Sequence, residues 1–222
     1  MRNSLVFVFF LVSCQLFGNR DSLKSSQETN KYLEKIAIYN QSKTDFIKWK
    51  KDVKIFIHPI NQQSTEKTDA LFYSDFIELK NELSFIVQEL NELINPISIS
   101  FVSVKEESNL EILIGSENDS RKLDASTRFL IHKNWAVQHC SVTGDGSEIL
   151  NSFIFLDLYR TPNLRIKKRL LRKKIVQSLG LFKELDENKE SIFYGGFSEQ
   201  IQFSTSDLDI IRLLYNSNYS KF

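Results

Sequence analysis

Residues Leu164 to Gly180 constrain the chain more than any other stretch. Leu164, Leu171, Ile175 and Leu179 recur at helical spacing. Thr161-Pro162-Asn163 opens the run with a proline near the first helical position, and Gly180 closes it, as glycine does at helix C-termini. Most of the other positions are basic. Eight Lys or Arg residues fall between Arg160 and Lys174, and no acid occurs between Asp157 and Glu184. A helix of this kind must find a layer on which to bury its apolar stripe. Its basic remainder, centred on Arg165, Lys168, Arg169 and Arg172, reads first as a solvated face. The alternative is a patch that meets a membrane or another polyanion, where each basic side chain adds about 1 kcal/mol.

The rest of the chain supplies such layers. Val53 to Ile60 alternates like a strand, and Asp69 to Ile94 carries apolar residues every three or four positions, stopping before Asn95-Pro96. Ile97 to Val104, Leu110 to Gly115, Leu130 to Val142 and Glu148 to Leu158 follow as strands, with a turn at Gly144-Asp145-Gly146. Thr205-Ser206-Asp207 caps a last helix over Leu208 to Tyr215, and a short helix is expected around Phe46, Ile47 and Trp49. The order predicts an α+β domain over 44–222: a mixed sheet backed by one long helix, then the basic helix and a C-terminal helix. Hydrophobic residues make up 41% of the chain, enough for a core, and a formal charge of +1 gives no electrostatic footprint for nucleic acid.

The N-terminus points to export. Arg2 is followed by eight apolar residues, Leu5 to Val12, too few to span a bilayer but suited to a signal peptide over 1–13. The run ends in Leu11-Val12-Ser13-Cys14, which resembles a bacterial lipobox. The resemblance implies cleavage before Cys14 and lipidation of its thiol, so the membrane becomes a partner through that lipid. The expected location is the bacterial cell envelope, with the outer membrane as the commoner destination. Residues 14–43 are polar and read as a tether, with a short helix available between Tyr32 and Tyr39. With Cys14 modified, Cys140 has no disulfide partner and reads as a small buried hydrophobe. A dyad with His139 is disfavoured because neighbours on a strand point apart.

The basic helix has the layout of a metal-binding one. In H-E-x-x-H, two imidazoles one helical turn apart hold zinc and the Glu activates water; a glycine three residues later lets the chain turn toward a third ligand. Counting from Gly180, the first His position holds Lys173, the Glu position Lys174, the second His position Gln177 and the third-ligand position Lys183, with Glu184 beside it. A lysine ammonium donates three hydrogen bonds and accepts none, so this set does not suit a cation.

The segments QSLGL, SIFY and STSDLDIIRLLY resemble the uncharacterised bacterial domain-of-unknown-function family 2927, which is secreted or lipid-anchored and regarded as zincin-like. Gln177, Leu179, Gly180, Leu181, Ser191, Ile192, Phe193, Asp207, Leu214 and Tyr215 match its pattern. Lys173 and Lys174 depart from it, standing where the pattern has acids, and Lys183 departs as well. The resemblance implies a zincin-like fold, and the departures imply that catalysis and cofactor are lost. The sequence therefore predicts a lipid-anchored, metallopeptidase-like protein with a binding or structural role toward an unknown protein or polyanion. One alternative is an active zinc peptidase whose ligands come from His58, His132 or His139 with Glu184 or Asp186. The other is a structural lipoprotein whose basic helix meets anions or membrane.

Overall fold

The computed structural model describes residues 28–37, 46–59, 67–120, 131 and 134–216. The signal region, Cys14 and His132 lie outside the described residues. The first element, α1, covers residues 28–36. It is followed by β1 (Val53–Ile57), α2 (Lys67–Leu93), β2 (Ile99–Phe101), β3 (Leu110–Gly115), the short α3 (Glu117–Ser120), β4 (Ala136–Val142), β5 (Ile149–Asp157), α4 (Leu164–Ser178) and α5 (Thr205–Asn216).

The strands form one sheet in the order β2-β1-β3-β5-β4. β1 runs parallel to β2 and β3, and β3 runs parallel to β5. β4 is antiparallel to β5, as a hairpin partner must be. Side chains alternate across this sheet. Ile112, Ile114, Ile154 and Leu156 point into the main core beneath α2 and α4, while Leu113 and Phe155 point to the other face and pack with Ile131. Burial on both faces explains why β3 and β5 read as nearly continuous apolar runs. The fold is α+β, with a mixed sheet, a long backing helix, the basic helix and a terminal helix in the expected order.

Two expectations change. The polar stretch assigned to a tether contains α1, whose Leu33 and Ile36 are fully buried in the main core. The folded unit therefore includes residues ahead of 44. Two buried apolar side chains three apart are enough to dock one short helix, but too few to stand out in a polar stretch. The Ile36 carbonyl accepts a hydrogen bond from the Lys183 amide at 2.9 Å, which ties α1 to the loop after α4. The short helix expected around Phe46–Trp49 is instead extended chain. Lys48 bridges Glu148, and its carbonyl accepts from the Ile149 amide at 3.1 Å. Tertiary contacts override the local pattern here: Phe46 and Trp49 are both buried.

Candidate functional site

Helix α4 is fixed at both ends. The Asn163 side chain caps its start by accepting from the Ile166 amide at 3.0 Å. At its end, the Gly180 amide donates to the Gln177 carbonyl and the Leu181 amide to the Val176 carbonyl, the paired bonds of a Schellman turn. Gly180 sits at φ +113°, and a Cβ there would lie 2.4 Å from the Ile47 carbonyl oxygen, so this position admits no side chain. Two further terminal carbonyls receive side-chain donors. Trp49 Nε1 reaches Ser178 O at 2.8 Å and the Tyr215 hydroxyl reaches Leu179 O at 2.7 Å. Burial pushes that phenol well above its usual pKa.

Most of the basic face of α4 is not solvated. Lys167, Arg169, Arg172 and Lys173 are all buried. On α2, Asp75, Glu82 and Glu89 recur every seven residues, with Glu78 beside them. Lys167 Nζ pairs with Asp75 at 2.6 Å, Lys168 Nζ with Glu78 at 3.2 Å and Glu82 at 3.7 Å, and Arg172 with Glu82 at 2.9 Å and with Glu89. The partner numbers rise together along the two helices, so α2 and α4 run in the same direction. Phe203 covers the Arg172 guanidinium from 4.5 Å. Arg165 lies at the edge, donating to the Glu199 carbonyl at 3.0 Å. Sequence reasoning missed this seam because the acids lie about ninety residues upstream, in a helix whose acids read as ordinary surface charge.

At the motif positions the structure brings Arg169, Lys173, Lys174, Gln177 and Glu184 together. Lys173 Nζ lies 2.7 Å from Glu184 Oε1 and donates to the Tyr194 carbonyl at 3.0 Å. Arg169 donates to the same carbonyl at 2.9 Å and to Gln200 O at 3.3 Å. Lys174 Nζ donates to Gln177 Oε1 at 2.9 Å. The Gln177 amide is held in that orientation by its own Nε2 bond to Phe182 O. Burial lowers the pKa of Lys173, opposed by Glu184. Burial and then the Lys173 charge lower that of Lys174. Lys183 is not part of this group; its residue is exposed.

The histidines do not join it either. His58 Nε2 lies 2.8 Å from Glu111, which also pairs with Lys105 at 3.0 Å. His139 is exposed on β4, while its neighbour Cys140 faces α4, with its thiol 3.8 Å from Ser178 O. Burial pushes the Cys140 thiol up to about 11. Asp186 is exposed. Among the described residues, no three His, Cys, Asp or Glu side chains form a group able to hold a metal ion. The donor set at the motif positions, two ammonium groups and an amide, does not fit zinc.

Asp207 proves to be a hub. It is fully buried at the start of α5 and exchanges capping bonds with Ser204, whose amide donates to Asp207 Oδ2 at 2.9 Å. It also accepts from the Ile192 amide at 3.0 Å and from the Ser191 hydroxyl, so one carboxylate fixes both the helix start and the Ser191–Phe193 turn.

A family model described as a protein of unknown function (DUF2927) matches residues 26–219. The chain belongs to that family. Its Gln177-to-Leu181, Ser191-to-Tyr194 and Asp207-to-Tyr215 segments are those in which the likeness is legible in the sequence. The DUF2927 match begins ahead of α1, in keeping with the burial of that helix in the core. No curated protein matches the chain. Among solved structures, that of myroilysin aligns with 81% of this chain and 84% of its own, at 10% identity and a TM-score of 0.40.

Proposed function

We propose that this DUF2927 protein is a cell-envelope lipoprotein, anchored through Cys14, whose zincin-like domain binds a partner and does not hydrolyse one. The observation that carries the reading is the state of Lys173. At the position of a first zinc ligand, its ammonium is paired with Glu184 and the Tyr194 carbonyl. Lys174 stands where a general base would be, and among the described residues its one hydrogen-bond acceptor is a side-chain amide. A positive charge held between helix and loop excludes a second cation by like-charge repulsion.

Zinc stoichiometry of the purified chain, measured after equilibration with added zinc, tests this. The expected result is less than about a tenth of an equivalent at the motif helix. One tightly held zinc per chain would overturn the non-catalytic reading and direct attention to the histidines. Anchoring is tested separately by growth with labelled palmitate: the label is expected on the wild type and absent from Cys14→Ser.

A further inference from the structure

The charges around the motif helix do not balance. Arg169, Lys173 and Lys174 are three cations on α4, the first near its middle and the two lysines in its last two turns. Glu184 is within bonding distance of Lys173, and Glu184 and Asp207 both act electrostatically on Arg169. Two carboxylates therefore serve three cations. Arg169 is satisfied by two main-chain carbonyls, and Lys173 by a carboxylate and a carbonyl. Among the described residues Lys174 bonds one neutral acceptor, Gln177 Oε1, and feels Glu184, the acid already bonded to Lys173, only through space. An ammonium carries three donors, so two remain for other acceptors. The residue is only partly buried. Strand β4 packs against this helix and offers no compensating acid. The side chains it turns toward α4 include Cys140, beside Gln138, while His139 is exposed.

We propose that Lys174, backed by the Lys173 charge, is the binding point for one carboxylate group of a ligand. This rests on the non-catalytic reading above and names the ligand class for that same site. The unbalanced charge is a single positive one, which a monoanion neutralises. The acceptor needed by Lys174 is the kind Lys173 already has in Glu184, a carboxylate oxygen at hydrogen-bond distance. Because the charged form of Lys174 is disfavoured by its surroundings, an anion that binds there favours the proton by linkage.

The test follows the side-chain Cε signals of Lys173 and Lys174 by NMR in lysine-labelled protein. Acetate is titrated against chloride at constant ionic strength, with a chelator present throughout. A saturable shift at Lys174, with none at the exposed Lys80, is the expected result. In Glu184→Gln the acetate affinity rises, on the order of tenfold, because one competing negative charge is removed. In Lys174→Met the Lys173 signal no longer responds. A second arm compares trialanine with its C-terminal amide. Tighter binding of the free peptide than of acetate assigns the carboxylate to a polypeptide end; equal or weaker binding assigns it to a small acid.

No acetate response in folded wild type, a response shared by Lys80, or binding of inorganic phosphate alone each overturns the carboxylate site. Zinc uptake by the wild type instead overturns the reading beneath it, whatever acetate does in chelator.

Discussion

Arg172 is the residue whose loss the structure makes most costly. Its side chain is 2% exposed, pairs with Glu82 and Glu89, and lies against Phe203. Arg172→Met keeps most of the aliphatic stem but removes the charge, leaving Glu82, whose side chain is 10% exposed, with Lys168 at 3.7 Å as its one cation among the described residues. Breaking a buried pair from one side typically costs about 3–5 kcal/mol, because the abandoned charge stays desolvated. Against a total stability of about 5–15 kcal/mol this is a large fraction. The double variant Arg172→Met with Glu82→Leu removes both charges, and replacing a buried pair by apolar groups of similar size is often close to neutral. The Arg172 Nε atom, buried without a partner, further lowers what the native pair contributes. Urea denaturation followed by tryptophan fluorescence should therefore show Arg172→Met lowering stability by about 3 kcal/mol or more, and the double variant recovering most of the loss. If the double variant is no more stable than Arg172→Met, the seam between α2 and α4 is not an electrostatic couple and the reasoning fails.

Other outcomes follow from the same structure. The Cys140 thiol, pushed up to about 11, should hold about 100-fold less thiolate at pH 8 than a thiol of ordinary pKa near 9. Iodoacetamide should therefore label it in urea and barely in the native protein, as read by peptide mass. Equal native and unfolded labelling would refute its burial. Lys174 titrates lower in the folded state than in the unfolded chain, so the unfolded state binds more protons between those two values. Wild-type stability should gain from this group as pH rises through that window. Lys174→Met should accordingly be more stable than wild type at pH 7, and the difference should shrink as pH approaches 10.5, the unfolded value. A difference that stays constant with pH would mean that Lys174 is not electrostatically strained.

The parts of this fold legible in the sequence are those with a local signature. β3 and β5 are mostly apolar because both faces of the sheet are covered, and α2 repeats its core residues from Phe76 to Leu93, over about five turns. Gly180 is legible because a helix stop with positive φ leaves few choices of residue. Counting from that glycine picks out Lys173, Lys174 and Gln177, and the structure brings these three together with Glu184. What was not legible depends on distant partners. α1 docks mainly through Leu33 and Ile36, and although a short helix is available there, no local pattern marks it as buried. Phe46–Trp49 is drawn into extended chain by Glu148 and by the end of α4, about a hundred residues away. The basic face of α4 reads as solvated until α2 is laid beside it, because nothing in either segment states that Asp75, Glu82 and Glu89 face Lys167 and Arg172.

These two kinds of contact explain how a motif helix can keep its place with lysines in it. A metal ion held by such a helix and the loop that follows would join the two. Here the Lys173 ammonium makes the same kind of join, reaching Glu184 and the Tyr194 carbonyl from the helix, while Arg169 grips Tyr194 from one turn earlier. The acids of α2 neutralise the cations farther up the helix. The geometry of helix, turn and loop is then set by groups that need no added ligand. Among the described residues Lys174 bonds to no carboxylate of either set and meets the Lys173–Glu184 pair only through space, so it is where a ligand's negative charge would find its partner.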